Sequence, residues 1–88
     1  MKIKENVIHR SIAGEHILIP TGETAIKYNG IFAMTEIGAE IWERLAQGME
    51  EDAIVAEILE EYDVEEPTLR QDYAEFVAKL TELGLVEE

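Results

Sequence analysis

The chain has 88 residues, 47% of them hydrophobic, with seven Lys or Arg against 20 Asp or Glu and no cysteine. That length predicts one domain (residues 1–88) with a single core, and the absence of cysteine excludes a disulfide framework or a thiolate metal site. No apolar run approaches the roughly 18 residues that span a bilayer, and Met1-Lys2-Ile3-Lys4-Glu5-Asn6 lacks a signal-peptide core, so a cytoplasmic protein is expected.

Strand signals dominate the first third. Asn6–Ile12 carries Val7, Ile8 and Ile12, and Ala13-Gly14-Glu15 supplies a turn. His16-Ile17-Leu18-Ile19 follows as a second strand, which Pro20 ends because proline cannot donate to a ladder. After a turn at Thr21-Gly22-Glu23, Thr24-Ala25-Ile26-Lys27-Tyr28 alternates as a third strand. Asn29-Gly30 is the strongest hairpin signal, and it leaves Ile31–Met34 as a candidate fourth strand.

From Thr35 the apolar period lengthens to that of a helix. Thr35 is placed to cap a helix with the stripe Ile37, Ile41, Trp42 and Leu45, which Gly48 stops. Gly38 inside it costs about 1 kcal/mol relative to Ala, so a close packing contact is expected there. A second helix opens on Glu50-Glu51-Asp52, where acidic residues suit the N-terminal dipole, and carries Ile54, Val55, Ile58, Leu59 and Tyr62. Pro67 fits the first turn of a third helix with Leu69, Tyr73, Phe76, Val77, Leu80 and Leu83. Gly84 ends this helix, and Leu85-Val86 forms an extended tail able to pack or pair.

The charges are unevenly distributed. Residues 1–30 hold four basic and three acidic side chains, whereas residues 31–88 hold three and seventeen. Counterion release from phosphates needs clustered Lys and Arg, so a nucleic-acid partner is not expected. Catalytic chemistry is also poorly provided for. Ser11 is the single serine, and His9 and His16 are the two histidines. A turn at Ala13-Gly14 sets His16 opposite Ser11 and His9 opposite Leu18, a register that predicts no imidazole pair for a metal. No metal-binding loop or phosphate cradle is recognisable either. A non-catalytic protein without cofactor or metal is expected.

A small sheet offers unpaired backbone groups at its edges, where an extended peptide can add as a strand. On the third helix the arc from Leu83 through Phe76, Leu69, Leu80 and Tyr73 to Val77 is apolar. It is flanked on one side by Arg70, Thr81 and the small Ala74 and Ala78, and on the other by Asp72 and Lys79.

Tyr28-Asn29-Gly30, Thr35-Glu36-Ile37-Gly38-Ala39-Glu40-Ile41-Trp42-Glu43-Arg44-Leu45, Gly48, the Ile54-Val55-Ile58-Leu59 helix, Tyr62-Asp63-Val64 and Leu80-Leu83-Gly84-Leu85-Val86 together resemble the PqqD family over roughly residues 5–87. Thr35-Glu36 stands where relatives commonly have Asn, Gly38 replaces a better helix former, and Met49 stands where a Thr or Ser cap is common. The resemblance implies an α+β, winged-helix-like fold: a small antiparallel sheet of three strands, or four, followed by three helices. It also implies a peptide chaperone that recognises the leader segment of a ribosomally made precursor peptide. The leader would add as a strand between the third strand and the third helix and be presented to a radical-SAM modifying enzyme. Mapped onto this chain, the peptide-binding candidates are Thr24, Ala25, Ile26, Lys27 and Tyr28 on the strand. On the helix they are Leu69, Arg70, Tyr73, Ala74, Phe76, Val77, Ala78 and Leu80, with Ala74 and Ala78 forming a shelf for the peptide backbone. The architecture alone also fits a winged-helix transcriptional regulator or a small acidic subunit that docks on an enzyme, and the chain could be a monomer or a homodimer.

Overall fold

The computed structural model describes residues 2–3, 7–22 and 30–87. Among these residues five strands and three helices follow in order: β1 (Lys2–Ile3), β2 (Val7–Ile12), β3 (Glu15–Pro20), β4 (Phe32–Met34), α1 (Glu36–Ala46), α2 (Glu51–Glu61), α3 (Glu66–Glu82) and β5 (Val86–Glu87). β2, β3 and β4 form an antiparallel sheet in that order, and β1 pairs separately with β5. The fold is α+β, a three-stranded antiparallel sheet followed by three helices. Phe32–Met34, expected as a possible fourth strand, is the third strand of this sheet, and the expected strand Thr24–Tyr28 lies outside the described residues.

Local chemistry explains where each element begins and ends. The β2–β3 hairpin turns through Ala13 and Gly14, both at positive φ (52° and 83°), which matches the right-handed twist of the flanking strands. Thr35 caps α1, its Oγ1 accepting from the Gly38 N–H at 3.0 Å. Gly48 and Gly84 (φ 85° and 74°) let the chain leave α1 and α3 in the left-handed region. α2 begins after Glu50, and Pro67 lies in the first turn of α3, as expected. The tail does pair: Val86 lies opposite Ile3.

Leu18 from the sheet, Ile41, Trp42 and Leu45 from α1, Ile54, Val55 and Ile58 from α2, Leu69, Tyr73 and Leu80 from α3, and Leu85 and Val86 after it make one buried core. Between α1 and α2 sits a guanidinium, Arg44, whose side chain is only 9% exposed. It donates to Glu40 Oε1 at 2.6 Å, to the Glu40 carbonyl at 3.1 Å, to Glu57 at 2.9 Å and to Glu61 at 3.4 Å. Such a group is tolerated away from water because these acceptors satisfy its fork of donors. No described helix is long and apolar enough to cross a membrane.

Candidate functional site

β4 bonds to β3 on one side only; among the described residues no strand pairs with its other edge. The pleat turns Phe32 and Met34 inward, and both pack against the core, while Ala33 faces out and is exposed. Across from this edge stands α3. Phe32 and Phe76 stack with ring centroids 6.1 Å apart and planes 26° from parallel. α1 reaches in beneath them at Gly38, where a Cβ would stand 3.5 Å from both Met34 Cβ and Phe76 Cε1 and 3.3 Å from Thr35 Oγ1. The close contact expected of Gly38 is therefore this junction of β4, α1 and α3. An open depression between the β2–β3 turn and the start of α1, lined by His16, Met34, Thr35 and Glu36, continues from the end of β4.

The Phe32–Phe76 stack fixes which flank of α3 faces the sheet. At about 100° per residue, Asp72, Lys79 and Leu83 lie on the same flank as Phe76. The other flank turns towards α2: Arg70 is bonded to Glu66 at 2.9 Å and to Glu51 and Asp52 at the start of α2 at 2.9 and 3.1 Å. Those carboxylates, Glu66 first, raise the affinity of Arg70 for its proton. Ala74 and Ala78 are exposed on the far arc, away from the stack with β4. Leu69 and Leu80 are 1% and 0% exposed and Tyr73 is 7% exposed, so these three serve the core. Burial, and then the Glu51 charge, push the Tyr73 phenol up. Phe76 and Val77 are half-buried. Of the helix candidates, Phe76 is the one joined to β4 by a described side-chain stack, while Arg70 is held at the α2–α3 contact and the alanine shelf points elsewhere. Residues 24–28 lie outside the described residues. Phe32 and Met34, absent from the sequence-based set, were signalled only by their following Asn29-Gly30.

The histidines differ from expectation in one respect. The register is the expected one, with Ser11 opposite His16 and His9 opposite Leu18. Yet His9 Nε2 and His16 Nδ1 approach to 3.1 Å, so the rings do form a pair. Diagonal neighbours on one face of an antiparallel ladder lie within reach of long side chains, and this is such a diagonal. His9 Nδ1 also lies 3.8 Å from Glu43 Oε1 on α1. His16 is thus engaged with His9, not Ser11. Among the described residues no group of three or more His, Asp or Glu side chains is arranged to hold a metal ion.

The described residues form an α+β domain, a three-stranded antiparallel sheet followed by three helices, with no described strand on the outer edge of β4. Residues 15–86 match the family of coenzyme PQQ synthesis protein D, and the chain belongs to that PqqD family. Two solved structures share the fold over nearly the whole chain. One, described as TbiB1 in complex with the TbiA(beta) leader peptide, is 30% identical, covers 99% of this chain and 95% of its own, and gives a TM-score of 0.80. The other, lasso peptide synthetase B1 complexed with the leader peptide, is 20% identical, covers 99% and 96%, and gives 0.78. No curated protein sequence matches the chain.

Proposed function

We propose that this chain is a non-catalytic module that binds the leader segment of a ribosomally made precursor peptide and presents it to a modifying enzyme of the radical-SAM class. The leader adds as a strand along β4, its inward side chains meeting Phe32, Met34 and Phe76 beside the Asp72–Lys79 flank of α3. The observation that carries this reading is that no described strand covers the outer edge of β4 beside Phe76, in a chain 30% identical to a protein described with a leader peptide bound. Strand addition supplies main-chain hydrogen bonds, and alternate side chains then read the groove. Regulation through DNA gains no support from α3, because Arg70 is surrounded by carboxylates and Lys79 lies 3.9 Å from Glu82.

Fluorescence polarisation of a labelled synthetic leader from the cognate precursor tests the placement. Phe76→Leu, with its fold checked by circular dichroism, should weaken binding by about tenfold or more, as loss of an aromatic anchor does. Ala74→Arg and Ala78→Arg, on the far arc, should leave affinity within about twofold. Strong loss in the arginine variants with none in Phe76→Leu would contradict the proposed groove.

A further inference from the structure

The sheet has a second face, turned away from the helices. Pleat alternation places Ile8, Arg10 and Ile12 of β2, Glu15, Ile17 and Ile19 of β3 and Ala33 of β4 on it. The register joins them into one surface: Ile8 lies opposite Ile19, Arg10 opposite Ile17, Ile12 opposite Glu15, and Ile17 opposite Ala33, and no described ion pair joins Glu15 to Arg10. Ile8 and Ile12 are 41% and 56% exposed, and Ile31, which continues the same alternation before β4, is 62% exposed. Scattered exposed isoleucines need no explanation, but Ile8 beside Ile19 and Ile17 beside Ala33 adjoin across the strands.

A second copy of this chain is a poor occupant. Arg10 sits in the middle of β2's outward row, so a two-fold stacking of these faces would bring Arg10 against Arg10. Three strands of this length present roughly 300 Å² of face, well below the ~800 Å² per partner of a stable interface. Each copy would also carry the formal charge of −13. A larger partner can cover this face and continue past it. Its chemistry follows from Arg10. Arg44 and Arg70 are each bonded to three carboxylates within the fold, whereas no described carboxylate pairs with Arg10.

We propose that the outward face of the β2–β3–β4 sheet docks the modifying enzyme, through an apolar patch on that enzyme bearing a carboxylate opposite Arg10. This rests on the leader-recognition reading and deepens it. β4 is both the edge assigned to the leader and the border of this face, so an enzyme seated here lies beside the added strand. The helical side, where the three described helices carry twelve acidic residues, is left free.

The test uses the full chain, the purified modifying enzyme of the same pathway and the synthetic leader. Biolayer interferometry measures chain–enzyme association with and without leader, and polarisation measures leader affinity. Ile12→Glu and Arg10→Glu, both at exposed positions, should weaken enzyme association by about tenfold or more while leader affinity stays within about twofold. Enzyme association unchanged in both variants overturns the docking face. So does a parent dimer in sedimentation velocity that Ile12→Glu dissociates, since a second copy would then cover the isoleucines. Failure of the parent to bind leader, with enzyme association still sensitive to Ile12→Glu, would overturn the leader reading and leave the face standing.

Discussion

Replacing Arg44 by Met separates the charged clamp from the apolar core. The Arg44 side chain is 9% exposed, while its partners differ: Glu40 is 25% exposed, Glu57 53% and Glu61 58%. Pairs with more than half-exposed carboxylates contribute about 0–1 kcal/mol each, because water and salt screen them. The 2.6 Å bond to Glu40 and the donation to its carbonyl are better shielded, and a hydrogen bond to a charged group contributes about 1.5–3 kcal/mol. Met retains most of the side-chain volume, so Arg44→Met should cost about 2–3 kcal/mol. A domain of this size has roughly 5–15 kcal/mol in total, and each kcal/mol moves the midpoint by about 4–8 °C. The melting temperature should therefore fall by about 10–20 °C. Glu40→Gln should reproduce most of that loss and add little to Arg44→Met, whereas Glu57→Gln and Glu61→Gln should each cost less than about 1 kcal/mol. Urea and thermal melts followed by circular dichroism read all six chains, the parent, the four single variants and the Arg44→Met/Glu40→Gln double variant. A loss under about 0.5 kcal/mol for Arg44→Met, or Glu57→Gln as costly as Glu40→Gln, would refute the assignment of the clamp to Glu40.

Ala13 holds φ 52° in the hairpin turn, so Ala13→Asn should stabilise by about 0.5–1 kcal/mol in urea melts, and a loss would show that the turn does not require the left-handed conformation. The Glu40 carboxyl is held below its ordinary value of 4.5 by Arg44 and then by the Tyr62 hydroxyl. Its contribution is accordingly present above pH 4.5 and lost as pH falls through the lower folded value, so the parent's advantage over Glu40→Gln should shrink on acidification; an advantage constant to pH 2 would contradict this. Tyr62 behaves in the opposite sense. Its phenol, donating to Glu40 at 2.8 Å, is pushed up to about 12, so its contribution holds below pH 10 and fades as pH climbs towards 12, and Tyr62→Phe should lack that alkaline loss. Alkaline limbs that coincide for parent and Tyr62→Phe would show that the bond to Glu40 does not bias this phenol.

Periodicity and turn chemistry disclosed the three helices, the Thr35 cap, the glycine stops and the register of the first hairpin, because each is set by residues a few positions apart. Properties that depend on distant partners were not readable in that way. The flank of α3 that meets the sheet is decided by Phe76 finding Phe32, while Arg70 finds Glu51 and Asp52 at separations of 19 and 18 residues. Spacing along the helix showed an apolar arc with two candidate borders and gave the small one to the peptide. Packing places the other border beside β4. Three residues of alternation in Phe32–Met34 are too few to mark it above Thr24–Tyr28, yet Phe32–Met34 pairs with β3. The histidine pair lies on a diagonal of the ladder, which the directly opposite register does not reveal. The β1–β5 ladder joins the two ends of the described chain, which no local signal could connect.

Leader recognition along β4 is tested most directly by nuclear magnetic resonance on the isotope-labelled chain titrated with unlabelled synthetic leader. The largest amide perturbations are expected at Phe32–Met34 and at Asp72, Phe76 and Lys79, with interchain backbone contacts between the leader and β4. Perturbations centred instead on Arg70, Ala74 and the start of α2, with β4 unmoved, would contradict it.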